Sequence, residues 1–365
     1  MSLLVLSASD VEAITSRFSP DDLTSLMAQV FYRLSRSTVD STHSEIQQPQ
    51  RIGLSLTNHI ALFMPSSIAS MGAAVKVVSV PTPAAPLAVK DRGLPASTVV
   101  LDGTSGTVRA VVNARHLTAL RNAAGSLLAT RLLLPPTASP RSLLAFGAGA
   151  QIAAHIALFL RYYPSIRSCA VVNRSRNARL TRLVTKLAAG YPEVTFTVGV
   201  LPSSGEGHED VDLETVVHNA DIIITATSAT TPLFPSKYVK PGTHLCLIGS
   251  YKPEMHEVDT DLVKRAGKVV VDSRDACLHE AGELLSAGLG RSNLMELGQL
   301  LHLPDSDGAG WVAENERVNM VRAAGDVTIF KSVGVGIQDV AMAFAVVSRA
   351  ERDGIGSRID DFDNE

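Results

Sequence analysis

The sequence predicts an α/β fold built on a Rossmann-like, doubly wound parallel sheet, and three observations predict it. Residues 142–153 read Ser-Leu-Leu-Ala-Phe-Gly-Ala-Gly-Ala-Gln-Ile-Ala, an apolar strand that turns through Gly147 and Gly149 straight into a helix. Such a turn cradles a pyrophosphate on backbone N–H groups at a positive helix end. Strand and helix signals then alternate as far as residue 272, which right-handed crossovers turn into a parallel sheet. Finally, 365 residues exceed what one core serves, so a second domain accompanies the first.

Taken in order, the Leu3-Leu4-Val5-Leu6 run is too short for the apolar centre of a signal peptide, lacks a basic start and soon meets Asp10. A helix follows: Ser19 is its N-cap, Pro20 its first residue, and Asp21 and Asp22 suit its positive end. Leu23, Leu26, Met27, Val30, Phe31 and Leu34 recur at helical spacing. Residues 50–112 read as strands and turns, with a hairpin over 97–112 around Asp-Gly-Thr-Ser-Gly. The proline-bearing stretch 81–95 reads as loop or edge. Strands follow at 143–146, 169–173, 194–200, 222–227, 244–248 and 269–272, with helices at 150–161, 178–189, 213–219 and 262–266. The small polar stretches 202–212 and 304–310 read as surface loops. A strand at 327–330 and a long apolar helix at 337–352 close the pattern.

Composition excludes several classes. Hydrophobic residues make up 45% and charged residues 19%, a globular mix, and the net charge of −3 gives no reason to expect nucleic acid. No apolar run is long enough to span a bilayer, so no membrane is expected. Cys169, Cys246 and Cys277 are widely spaced and read as buried free thiols, which suits a reducing, cytoplasmic setting. The ten histidines show no metal-ligand spacing, so no metal site is expected. Neither a Gly-x-Ser-x-Gly elbow nor a Walker loop is present.

The cofactor site begins at Gly147, Gly149, Ala150 and Gln151, with Ile152 where a third glycine would stand. Thr227, closing the strand 222–227, is assigned to the same site. The next strand ends Asn173-Arg174-Ser175-Arg176, with none of the acids that bind a ribose 2′-hydroxyl. Arginine and serine there suit a 2′-phosphate, so the expected cofactor is NADPH, with NADH the weaker.

Six segments together carry a resemblance. They are Lys76-Val-Val-Ser, the stretch from Leu117 through Arg121 to Ser126, Gly147-Ala-Gly-Ala-Gln, the stretch Gly242 to Gly249, the stretch Asp272 to Glu283, and Phe330-Lys-Ser-Val-Gly-Val-Gly-Ile-Gln-Asp339. In this order they resemble the ornithine cyclodeaminase/mu-crystallin family along nearly the whole chain. The resemblance implies a Rossmann domain over 126–324 and a sheet-rich α+β domain, built from 1–125 and 325–365, that binds substrate and pairs in a homodimer. It also implies that Arg51, Lys76 and Arg121 hold a substrate carboxylate. Lys76 lies within the apolar run 73–78, and Arg121 sits in a helix rich in Ala and Leu.

One departure bears on the chemistry. Cyclodeaminases and several amino-acid dehydrogenases of the family carry an acidic residue where this chain has Tyr251, in Gly249-Ser-Tyr-Lys-Pro-Glu-Met-His-Glu257. Without that carboxylate the obvious general base for deamination is missing. The motif is similar to that of the family's cyclic imine reductases, which implies reduction of Δ1-pyrroline-2-carboxylate or Δ1-piperideine-2-carboxylate to proline or pipecolate. Lys76, Tyr251 or water then supplies the proton. The alternatives are an ornithine cyclodeaminase or amino-acid dehydrogenase, a dehydrogenase of N-carboxyalkyl amino acids, and a non-catalytic binder of NADPH and a small ligand. Lys331 and Asp339 match the family's C-terminal segment, where a structural role stands beside a functional one, and His155 reads as a packed helix residue.

Overall fold

The computed structural model describes residues 2–37, 45–90, 92–201, 211–304 and 310–363. Two units divide the chain: residues 1–121 with 335–365, and residues 122–334. Most of both expected loops, 202–210 and 305–309, lies outside the described residues.

In the second unit, short runs of β-branched and aliphatic residues are buried on both faces, as strands covered by helices on either side must be. Ser142–Phe146, Ser168–Asn173, Ile222–Thr225, His244–Leu247 and Val269–Val271 are of this kind. Eight strands form one parallel sheet in the order Thr195–Val200, Ser168–Asn173, Ser142–Phe146, Ile222–Thr225, His244–Leu247, Thr328–Lys331, Val269–Val271, Leu294–Glu296. The helices Ala150–Tyr162 and Ala178–Gly190 supply the first crossovers. The order reverses beside Ser142–Phe146, which is where a doubly wound sheet binds its ligand. Phe146 stacks on Phe234 at 5.0 Å within the core.

The expected domain boundary at 325 is corrected here. The strand Thr328–Lys331 pairs with His244–Leu247 on one side and Val269–Val271 on the other, so it belongs to the parallel sheet. Its buried Ile329 and Phe330 find their apolar partners there, and the chain changes unit only after Gly334.

The first unit is a largely antiparallel sheet covered by helices. Its order is Ser357–Ile359, Leu3–Leu6, Val108–Asn113, Ala96–Leu101, Gly72–Pro81, His59–Ile68, Ile46–Gln47, with Ile52–Ser55 also paired to His59–Ile68. The Leu3–Leu6 run is therefore a strand, parallel to Val108–Asn113, and buries Leu3, Leu4 and Leu6. Pro20–Leu34 starts as its sequence demands: Ser19 and Asp22 form a reciprocal capping box ahead of a stripe of buried apolar residues. The stretch 81–95 departs from a pure loop, since Leu87–Lys90 makes one helical turn after Pro86. The helix Gly336–Asp353 buries most of its surface against the sheet, including the polar pair Gln338 and Asp339. Among the described residues, no helix is long and apolar enough to cross a membrane.

Candidate functional site

Strand alternation decides where Lys76 points. In Gly72–Pro81 the residues Ala74, Lys76 and Val78 share the buried face, so the lysine sits in the same row as two core residues. Lys76 is 2% exposed and donates to Asp339 Oδ2 at 2.6 Å. Arg121, also 2% exposed, donates from Nε to Asp339 Oδ1 at 3.2 Å and from Nη1 to Gln338 Oε1 at 2.6 Å. Asp339 thus binds one cation on each oxygen, from the first turn of a helix whose positive end favours a carboxylate. Burial pushes the Lys76 ammonium down to about 8; Asp339 opposes that fall, while Arg121 and Arg51 add to it. Arg51 therefore acts on Lys76 as part of the same charged cluster. Two buried cations meet on one carboxylate with Arg51 in electrostatic reach of Lys76, a cluster of the charge that binds an anionic ligand group.

Sequence reasoning groups Arg51, Lys76 and Arg121; the structure places Lys76 and Arg121 on Asp339, and Arg51 within electrostatic reach of Lys76. It adds Gln338 and Asp339 as the residues that organise them. The signal was two adjacent polar residues in the otherwise apolar helix Gly336–Asp353.

In the second unit, Ser142–Phe146 leads into the glycine turn. Gly147 has φ +115°, and a Cβ there would lie 2.9 Å from the Ala226 carbonyl oxygen, so only glycine fits. Ile152 occupies the third motif position as a fully buried packing residue whose Cγ1 would lie 3.3 Å from that same Cβ. Gly149 is different: a Cβ there would meet nothing within 4 Å, leaving open space at the helix start. Gly149 is the N-cap of Ala150–Tyr162 and no side chain caps this end. The side-chain oxygen of Gln151 is buried without a partner. An uncapped helix start with open space at its N-cap fits a dinucleotide phosphate group.

Asn173 closes the next strand and donates from Nδ2 to the Ser175 carbonyl at 2.8 Å, shaping the turn that exposes Arg174, Ser175 and Arg176. Asn177 then caps Ala178–Gly190 by accepting from the Leu180 N–H at 3.0 Å. The turn holds two exposed guanidiniums and no acid between Asn173 and Asn177.

Glu257 was missed by sequence reasoning. It is fully buried and accepts four hydrogen bonds: from Thr225 Oγ1 at 2.7 Å, Thr227 N at 2.6 Å, Thr227 Oγ1 at 2.8 Å and Gly249 N at 2.7 Å. One carboxylate thereby ties the ends of two neighbouring strands. A Cβ at Gly249 would lie 2.1 Å from the Thr227 oxygen and 2.4 Å from Glu257 Oε1, so that position must be glycine. Burial pushes the Glu257 carboxyl above its ordinary range; Lys331 pulls it back and Glu283 adds to the rise. Acidic residues beside a helix N-cap such as Asp259 are common in any sequence, so nothing marked this one. Tyr251, between Gly249 and Glu257, is half-buried and packs on the core of this unit. The Thr227 hydroxyl donates to Glu257 and accepts from the Ala229 N–H at 3.3 Å.

Lys331 and Asp339 part company. Lys331 is fully buried in the second unit, 3.0 Å from Glu283 Oε1 in an ion pair without hydrogen-bond geometry, whereas Asp339 organises the cation cluster of the first. His155 is fully buried 2.9 Å from Ser126 Oγ, and burial pushes its imidazole down to about 4, which suits a neutral packing residue. Cys169, Cys246 and Cys277 are free and buried.

Comparison with known proteins gives four findings. The family model described as "Ornithine cyclodeaminase/mu-crystallin family" matches residues 5–354. The ketimine reductase mu-crystallin of Mus musculus is 33% identical over 249 residues, 68% of this chain and 67% of that one. A Delta(1)-pyrroline-2-carboxylate reductase of Bacillus cereus is 37% identical over 154 residues, 41% of this chain and 43% of that one. Among solved structures, the Thermococcus litoralis Delta(1)-pyrroline-2-carboxylate reductase, in complex with NADH and L-proline, shares the fold with a TM-score of 0.77. It is 22% identical and covers 98% of this chain and 100% of its own.

Proposed function

We propose a function from one premise: the chain belongs to the ornithine cyclodeaminase/mu-crystallin family. It is an oxidoreductase that reduces a cyclic 2-imino acid, Δ1-pyrroline-2-carboxylate or Δ1-piperideine-2-carboxylate, with a nicotinamide cofactor and preferably with NADPH. The observation that carries this reading is the buried cluster of Lys76 and Arg121 on Asp339, with Arg51 acting on it.

In this reading the first unit supplies the groups for the substrate. Arg51, Lys76 and Arg121 bind its carboxylate by charge-assisted hydrogen bonds, and Asp339 and Gln338 hold the guanidinium of Arg121 in place. Reduction needs a protonated imine nitrogen. Lys76, with its ammonium brought down to about 8, holds a proton at neutral pH and releases it readily, which is the property of a general acid. Tyr251 is the second candidate for that proton. Its hydroxyl can donate a proton or hydrogen bond, which an ionised aspartate cannot.

The second unit supplies the groups for the cofactor. The backbone around Gly147, Gly149, Ala150 and Gln151 would hold the pyrophosphate, Arg174, Ser175 and Arg176 the 2′-phosphate, and Asn173 and Thr227 flank the site. When bound, the cofactor supplies the hydride. The exposed guanidiniums at the 173–176 turn support NADPH, because an acid there would repel the extra phosphate.

Assembly and setting are part of the proposal. Ile52, Leu54 and Leu56 are each more than half exposed and lie on one side of a single extended segment, which supports a homodimer through that row. Three buried free thiols support a reducing, cytoplasmic compartment.

The test is NADPH oxidation with the two cyclic imino acids, beside ornithine supplied with NAD. The proposal expects imine turnover and no proline from ornithine. Arg121→Ala should raise KM or abolish turnover while NADPH still binds, a charged hydrogen bond being worth roughly 2–4 kcal/mol. Tight NADPH binding with every imine inert would instead favour a non-catalytic binder. Ornithine cyclisation would favour the cyclodeaminase.

A further inference from the structure

The edge of the parallel sheet carries a second collection of cations. A cleft of about 480 Å³ beside Leu294–Glu296 is lined by Arg274, Arg291 and Arg317 together with Ser292, Met295 and Gln299. Gln299 gathers two of the guanidiniums. Its side-chain oxygen accepts from Arg274 Nη2 at 2.9 Å, and its backbone carbonyl accepts from Arg317 Nη1 at 3.2 Å. Among the described residues neither guanidinium has a carboxylate partner, although the Arg274 backbone N–H donates to Glu296 Oε1 at 3.0 Å, and Arg274 Nε is buried with no partner of any kind. Arg291 pairs with Asp275, but both are mostly exposed, and such a pair exchanges easily for another anion.

Like charges held on one neutral residue repel one another, and among the described residues no carboxylate is paired with the guanidinium of Arg274 or of Arg317. Planar guanidinium forks match the oxygens of a phosphoryl group, each able to give two parallel hydrogen bonds. We propose that this cleft is a binding site for a small phosphorylated anion. It is separate from the dinucleotide turn. Leu294–Glu296 stands five strands away from Ser142–Phe146 in the sheet, roughly 24 Å at the usual strand spacing.

The test uses the full chain with inorganic pyrophosphate and inorganic phosphate as probes, followed by isothermal titration and thermal melting against chloride at equal ionic strength. Saturable binding is expected, tighter for pyrophosphate than for phosphate. Arg317→Ala, at an exposed position, should weaken it at least tenfold, and Arg274→Ala by at least as much. Arg174→Ala, in the 173–176 turn, should retain binding in the cleft. Arg317→Glu reads the site by charge reversal should Arg274→Ala fold poorly. No saturable signal in the unaltered protein would overturn the proposal, as would binding that survives Arg317→Glu. A signal lost with Arg174→Ala but kept with Arg317→Ala would place the anion in the dinucleotide turn and overturn it equally.

Discussion

Replacing Asp339 by Asn tests the proposed proton donor most directly. The substitution keeps the shape and an oxygen that can still accept from Arg121, but removes the negative charge 2.6 Å from Lys76 Nζ. That charge opposes the burial that has already brought the ammonium down to about 8. An opposite charge at such a distance raises an ammonium by about one to three pH units. Its loss should lower Lys76 by the same amount, or about 1.4–4 kcal/mol. The sign follows from the proton count. If protonated Lys76 is required, kcat/KM in the unaltered enzyme falls as pH rises through about 8, and in Asp339→Asn it falls at correspondingly lower pH. At pH 7.5 the loss is then about threefold for one unit and roughly two hundredfold for three. The assay is the pH profile of kcat/KM for imine reduction, with a melting curve for each variant, since two buried cations left without Asp339 destabilise by about 3–5 kcal/mol. Ionisation of the imine itself gives a limb at the same pH in both proteins. An alkaline limb that does not move in a folded Asp339→Asn variant would refute the assignment of Lys76 as the acid.

Glu257→Gln should destabilise the second unit by about 1–3 kcal/mol per donor left unpaired, because the new amide nitrogen faces N–H or O–H donors where an oxygen now accepts. Denaturant unfolding reads this, and unchanged stability would show that the four hydrogen bonds carry no net weight. NADPH should be preferred to NADH in kcat/KM, and Arg174→Ala should narrow the ratio by roughly fivefold, the worth of one exposed charged contact of about 1 kcal/mol. Equal use of both cofactors by the unaltered enzyme would remove the 173–176 turn from the cofactor site.

The parallel sheet was legible because each buried strand is a short apolar run with a Gly, Asn or Pro near its end, and the helices between repeat at 3.6 residues. The glycine turn was legible through its neighbours in sequence. Lys76 stood out because an isolated lysine in the run 73–78 has no solvated place to go. The pairing of Lys76 with Asp339 was not legible, since 263 residues separate them and only the packing of Gly336–Asp353 on the sheet joins them. Glu257 was hidden for a related reason: its donors lie on strand ends 8, 30 and 32 residues away. The Leu3–Leu6 run gave too little period to show as a strand, and its partners Val108–Asn113 and Ser357–Ile359 lie far along the chain. Alternation alone assigned Thr328–Lys331 to no particular sheet, because a four-residue apolar strand packs equally well in either.

The insertion of Thr328–Lys331 between His244–Leu247 and Val269–Val271 sets the order in which this protein can be completed. During synthesis, the strands up to His244–Leu247 can assemble as each crossover emerges. Val269–Val271 and Leu294–Glu296 cannot join them, because the strand that bridges the gap is made last. Until residue 331 leaves the ribosome, both flanking edges present unpaired backbone, and Glu283 waits for its ion-pair partner Lys331. A chain stopped before Thr328 would therefore be split through its sheet rather than merely shortened, with a nascent hazard of edge-to-edge association that the finished protein no longer has.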